Sequence, residues 1–158
     1  MFVLIRTLVY ASLFVGLILV YLPGQVLSWS GITRPSSIGT QQALGMIVGA
    51  IGAIIALWCV VTFAFSGKGT PAPFDPPRRL VNRGPYKFVR NPMYIGAGLA
   101  LTGAAVFYES WPLLSYAVIF FVITHCFIVW YEEPTLRRTF GKDYETYCQQ
   151  VKRWLPSI

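Results

Sequence analysis

The sequence predicts an all-α, polytopic membrane protein with four transmembrane helices and a C-terminal amphipathic helix. Three observations carry that expectation. Charge is missing from four long stretches: residues 7–33, 35–67, 91–108 and 110–131 contain no Asp, Glu, Lys or Arg. An uncharged apolar run of about 18 or more residues can cross the hydrocarbon layer, at roughly 1.5 Å per helical residue. Hydrophobic residues make up 55% of the chain and mean hydropathy is +0.57, which excludes both an ordinary soluble domain and disorder. Finally, the basic residues are placed asymmetrically between the windows.

Lys68, Arg78, Arg79, Arg83, Lys87 and Arg90 lie between the second and third windows, and Arg137, Arg138, Lys142, Lys152 and Arg153 follow the fourth. The connections after the first and third windows hold only Arg34 as a basic residue. This is the positive-inside pattern, with both termini and the central loop cytoplasmic and Arg6 snorkelling from the first helix. The location expected is an integral membrane, in a prokaryote the bacterial inner membrane. The net charge of +7 is spent on orientation, so no nucleic-acid partner is expected. Cys59, Cys126 and Cys148 form no CxxC or metal-ligand spacing, so neither a disulfide framework nor a metal site is expected.

The chain is expected to be one membrane domain. Residues 1–66 hold the first two helices: one over about 2–22, stopped by Pro23-Gly24, and one over about 40–66 whose Gly45-x-x-x-Gly49 admits a close neighbour. Residues 67–92, with six prolines and six of the thirteen basic residues, form a cytoplasmic loop in which no regular element is expected. Its Phe74, Leu80, Val81, Tyr86, Phe88 and Val89 argue for packing against the membrane face. Residues 93–131 form a transmembrane hairpin. Its first helix opens on Asn91-Pro92, a favoured cap followed by a favoured first residue, and it turns at Glu109-Ser110-Trp111-Pro112. The second, about 112–131, is expected to continue into the cytoplasm. Residues 132–158 form an amphipathic helix and tail at the membrane surface, with Leu136, Phe140, Tyr144, Tyr147 and Val151 at spacings of 4, 4, 3 and 4.

An antiparallel hairpin sets the start of its first helix beside the end of its second. That brings Arg90, Asn91 and Tyr94 towards Glu132 and Glu133. A helix N-terminus, a guanidinium and two carboxylates around an apolar cleft suit a zwitterionic ligand. Simpler roles exist for each group: Arg90 as a snorkelling charge, Asn91 as a cap, the glutamates as a helix end paired with Arg137, and Gly96-Ala97-Gly98 as a packing surface. His125 lies seven residues before Glu132, on the same face of a regular helix, as a packing residue or a proton carrier.

Arg90-Asn91-Pro92-Met93-Tyr94-x-Gly96, followed by Glu132-Glu133-Pro134, resembles the integral-membrane methyltransferases. That superfamily includes the isoprenylcysteine carboxyl methyltransferases and the phospholipid N-methyltransferases. Phe140-Gly141-x-x-Tyr144-x-x-Tyr147-x-x-x-Val151 and Trp154-Leu155-Pro156 are similar to the isoprenylcysteine branch, whereas Asn91, where that branch usually has His, is similar to the phospholipid branch. The resemblance covers about residues 76–156.

The resemblance implies S-adenosylmethionine as cofactor and a lipophilic methyl acceptor reaching it from the bilayer. It implies a cofactor pocket of Tyr86, Arg90, Asn91, Pro92, Tyr94, Gly96, Gly98, Glu132 and Glu133. Arg90, Glu132 and Glu133 are the expected catalytic residues, and Tyr94, His125 and Tyr144 are expected to meet the acceptor. Displacement at a sulfonium methyl needs alignment and a dry site more than acid–base groups. Two other readings are kept: a sterol-reductase-like, nicotinamide-dependent membrane enzyme, and a non-enzymatic membrane assembly protein.

Overall fold

The computed structural model describes residues 12–13, 15–66 and 80–156, and every described element is helical. A π-helical stretch, Val15–Tyr21, runs into α1 (Leu22–Trp29), and α2 covers Thr40–Ser66. A single 3₁₀ turn, Gly84–Lys87, precedes α3 (Pro92–Phe107) and α4 (Trp111–Phe127). A π turn, Ile128–Glu132, then leads into α5 (Glu133–Phe140) and α6 (Lys142–Gln150). Two helical runs are long and apolar enough to cross a membrane, Thr40–Thr62 and Trp111–Phe140; Gly16–Trp29 and Pro92–Phe107 are apolar but shorter.

The first helix does not stop at Pro23-Gly24 but continues to Trp29. A proline inside an α-helix removes one N–H and crowds the carbonyl four residues back; widening the preceding turn to a π-helix relieves that crowding. In such a turn the carbonyl of Ile18 would look to the N–H of residue 23, which proline lacks. The hydroxyl of Tyr116 on α4 donates to that carbonyl at 2.9 Å, so the proline also fastens the first helix to the hairpin. The expected start of that helix lies outside the described residues.

Helices α2 and α3 cross at glycines. A Cβ on Gly52 would sit 2.5 Å from the backbone of Ala100 and Gly96, and one on Gly96 would sit 2.8 Å from Ala56 N and Gly52 O. The two backbones therefore touch, which in lipid replaces the missing hydrophobic drive. The opposite face of α2 presents Leu44, Ile47, Ile51, Ile54 and Leu57 outward, a patch that water would not tolerate but lipid does. Trp111 and Trp130 stand exposed at the start of the second run and two thirds of the way along it. Nineteen residues of helix separate them by roughly 28 Å, close to the thickness of the hydrocarbon layer.

Helix α4 starts on Ser110, whose hydroxyl accepts from Leu113 N at 3.1 Å, after a turn in which Glu109 adopts φ +52°. It continues beyond the apolar window through the π turn into α5. The amphipathic helix, expected to bend at Gly141, is split there into two, where Gly141 takes φ +52° and ψ −124°, a conformation that L side chains rarely adopt. Its apolar stripe closes on itself: Leu136, Phe140, Tyr144, Tyr147 and Val151 form one cluster with Leu80 and Cys148. The loop is not wholly irregular, since Gly84–Lys87 makes one helical turn. Val81, Tyr86 and Val89 are buried, Val81 and Tyr86 against Cys59 of α2, but Phe88 is exposed. Residues 67–79, including Phe74, lie outside the described residues.

Candidate functional site

The hairpin sets the N-terminus of α3 against the end of the α4–α5 run. Tyr94 Oη donates to Glu132 Oε2 at 3.1 Å across that junction. Just beyond it, Pro134 repeats the device seen at Pro23, with a π turn directly upstream. The widened turn sits where the chain needs two adjacent carboxylates to find different partners. Glu132 turns to Tyr94, and Glu133 turns to two arginines.

Glu133 accepts a fork from Arg153, with Nε to Oε1 at 2.8 Å and Nη2 to Oε2 at 2.9 Å. Arg90 Nη1 lies 3.2 Å from the same Oε1. This is the planar bidentate geometry that guanidinium and carboxylate prefer. The side chains of Arg90 and Glu133 are only 12% and 9% exposed, so their charges meet with little screening. Hydrogen bonding to Glu133 raises the already high pKa of Arg153, which stays a cation.

Arg153 belongs to a short strap laid across the junction. Arg90 N donates to Lys152 O at 3.0 Å, and Asn91 Nδ2 donates to Arg153 O at 3.3 Å. Trp154 Nε1 donates to His125 Nδ1 at 3.1 Å, and its ring lies 4.6 Å from that of Phe121. A second layer supports the strap. Arg90 Nη1 donates to Cys148 Sγ at 2.7 Å, and Tyr147 Oη donates to Tyr86 O at 2.6 Å. Burial pushes the phenols of both Tyr86 and Tyr147 well above their ordinary range, so both remain neutral.

The structure thus gathers Arg90, Asn91, Tyr94, Glu132 and Glu133 in one place, with Pro92 fully buried between them at the start of α3. Tyr86 and Tyr144 are buried in the supporting layer. Asn91 occupies the cap position, but its side chain makes no capping bond and serves the strap instead. Gly96 lies in the α2–α3 crossing, while Gly98 faces open space beside α4. His125 is joined to Trp154, and the intervening π turn removes the regular helix on which a face shared with Glu132 was expected. Glu133 pairs with Arg90 and Arg153, and Arg137 is exposed. Sequence reasoning gave no contact to Arg153, Cys148 or Trp154. The only available signal was the terminal Trp154-Leu155-Pro156.

The phospholipid methyltransferase family profile matches residues 40–143, a stretch that holds α2, the hairpin and both glutamates. Two rice proteins, each described as a probable protein-S-isoprenylcysteine O-methyltransferase, are similar to this chain. They come from Oryza sativa subsp. indica and subsp. japonica, and each is 31% identical over 119 residues. The matched stretch covers 73% of this chain and 61% of each rice protein. Together with two helical runs able to cross a bilayer, these matches identify an integral membrane protein, and the chain belongs to the phospholipid methyltransferase family.

Proposed function

We propose that this chain is an S-adenosylmethionine-dependent methyltransferase that methylates the polar head of a lipophilic acceptor, an isoprenylcysteine-like carboxylate or a phospholipid-like amine. The observation that carries this reading is the charge cluster at the hairpin mouth. Arg90 and Arg153 supply two cations and Glu132 and Glu133 two anions, so the cluster offers partners to both the carboxylate and the cationic groups of S-adenosylmethionine. Arg90 Nε is buried with no hydrogen-bond partner among the described residues. A buried donor left unmade costs on the order of 1–3 kcal/mol, and the carboxylate of an amino-acid-like cofactor would meet it.

In this reading Arg90 holds the cofactor carboxylate, while Glu132, oriented by Tyr94, faces its positive charge. Asn91, Pro92 and Tyr86 shape the wall between them, Gly96 sets how closely α3 approaches α2, and Gly98 leaves open space beside α4. Glu133 keeps Arg90 and Arg153 in place. When bound, S-adenosylmethionine supplies an electrophilic methyl on a sulfonium sulfur. The residues then need to align the acceptor and exclude water. A carboxylate acceptor takes the methyl without losing a proton. An ammonium acceptor must first release one, and a carboxylate oxygen of Glu132 is the nearest base to Tyr94. His125 and Tyr144 would border the route by which the acceptor head arrives.

Isothermal titration with S-adenosylhomocysteine tests the reading, with a nicotinamide dinucleotide as control. Arg90→Ala and Glu132→Gln should each weaken S-adenosylhomocysteine roughly 10- to 150-fold, the loss of one charge-assisted bond. Unchanged affinity in folded variants removes these residues from the site, and binding of only the dinucleotide replaces the reading with a reductase. We further propose four spans with both termini cytoplasmic. Cysteines placed at Ser30 and Glu145 should then label from opposite sides of the membrane, and labelling from one side overturns the topology.

A further inference from the structure

The two ends of the spans carry different charge. Where the hairpin opens, Arg83, Lys87, Arg137, Arg138, Lys142 and Lys152 are exposed, against the exposed acids Asp143 and Glu145. Among the described residues that face is cationic by four charges, six less two. At the opposite end, exposed Arg34 and exposed Glu109 cancel. Glu133, at the start of α5, leaves the surplus in place, because its ion pairs go to Arg90 and Arg153. Arg137 acts on it only as the least of three nearby cations.

Depth brings two of these cations to the lipid phosphates. The run Trp111–Phe140 is continuous, so Arg137 and Arg138 follow Trp111 by 26 and 27 residues. At roughly 1.5 Å per residue that is about 39–40 Å, against about 40–45 Å for a bilayer with both headgroup regions. Helical side chains lean towards the helix N-terminus, here back towards the bilayer, and an arginine stem extends that reach. On the α3 side of the mouth, exposed Lys87 leads into Phe88, which is 51% exposed although Val81, Tyr86 and Val89 are buried. A cation beside an exposed ring is the pairing that enters a membrane interface. We propose that this face docks the headgroups of anionic phospholipids, with Arg137 and Arg138 on the phosphate and Lys87 and Phe88 in the same interface. Charge selects the occupant. A phosphatidylcholine headgroup is neutral overall and leaves the surplus unanswered, whereas an anionic lipid answers it, and guanidinium groups take phosphate oxygens in a planar fork. The inference needs only an integral membrane chain and stands apart from the methyltransferase reading.

The full chain, in nanodiscs of equal phosphatidylglycerol and phosphatidylcholine, is released into a mass spectrometer that counts retained lipids. Phosphatidylglycerol should be retained about fivefold over phosphatidylcholine, the share of one basic residue at an anionic surface. Arg137→Gln with Arg138→Gln should bring that ratio below twofold, and Arg34→Gln should leave it unchanged. A wild-type ratio near one overturns the proposal. So does an equal fall in Arg34→Gln, which makes the effect one of net charge alone. A diazirine on the phosphatidylglycerol headgroup should crosslink within residues 133–140, and crosslinks confined to other segments place the lipid elsewhere and overturn the assignment. Retention of the solubilised chain on polyuridylate or polyglutamate, lost in the double variant and undiminished by phosphatidylglycerol micelles, gives the face to a soluble polyanion and overturns the lipid reading.

Discussion

Replacing Glu133 with Gln keeps the shape of the side chain and removes the charge that two guanidinium groups share. Arg153 gives it two hydrogen bonds, at 2.8 and 2.9 Å, and Arg90 stands 3.2 Å away. Taking one member out of a buried ion pair costs on the order of 3–5 kcal/mol, because the partner charge is left buried. Arg153 is 31% exposed, however, so water recovers part of its loss, and its share falls towards the ~1 kcal/mol of exposed pairs. Arg90, at 12% exposure, has no such relief. The expected cost of Glu133→Gln is therefore about 3 kcal/mol, against about 1 kcal/mol for Arg153→Ala.

The amide of Arg90, bonded to Lys152 O at 3.0 Å, reports the strap directly. Hydrogen exchange in detergent micelles should show its protection falling roughly 150-fold in Glu133→Gln and about fivefold in Arg153→Ala, if the strap opens locally. The order of the two effects is the decisive quantity. If Arg153→Ala loses as much protection as Glu133→Gln, the buried Arg90 charge is not what Glu133 holds. If neither changes, the strap is fastened by its backbone bonds and the ion pairs are incidental.

Gly52→Leu should cost more than ~3 kcal/mol or prevent folding, because its side chain would enter the backbone of α3, and thermal unfolding of the variant checks this. Tyr147→Phe should cost about 1–2 kcal/mol by leaving Tyr86 O without this donor. Because Tyr86 and Tyr147 hold their protons more tightly folded than unfolded, stability should be flat below about pH 10 and fall above it. Denaturation midpoints from pH 7 to about 11 should show that fall shrinking in the Phe variant. Truncation after Val151 should leave the helices inserted, since insertion depends on apolar length, while S-adenosylhomocysteine titration shows at least a tenfold loss of affinity; undiminished affinity makes the strap dispensable.

Charge-free windows and the antiparallel logic of a hairpin made much of this architecture legible. They point to helices over 40–66 and 93–131, and to the meeting of Tyr94 with Glu132. What they leave out is set by hydrogen-bond register rather than hydropathy. Pro23 looks like a helix stop, yet a π turn upstream carries the helix on to Trp29. The same device before Pro134 breaks the seven-residue spacing that seemed to join His125 and Glu132. Asn91 looks like a cap, but a more distant carbonyl, on Arg153, takes its amide. Gly96 and Gly98 are indistinguishable in sequence, and their roles differ because two residues turn a helix by roughly 200°. Arg153 and Trp154 follow the last helix, where no periodicity marks a partner.

The two glutamates show how one dipeptide supports opposite electrostatic tasks. A carboxylate shared by two guanidinium groups has much of its charge already met, and on the reading proposed above Glu133 organises those cations. Glu132 has a phenol for its partner, which directs the carboxylate without neutralising it. Had both acids faced the arginines, the cluster would have been fully self-paired. Had both faced Tyr94, two like charges would have shared one poorly screened space. The widened turn before Pro134 separates them. Because Arg153 fastens Glu133 while its neighbour Trp154 joins His125 and Phe121, two consecutive residues tie the charge cluster to the cytoplasm-proximal half of α4. A ligand displacing Arg153 from Glu133 would therefore also pull on Trp154 and its contacts with α4.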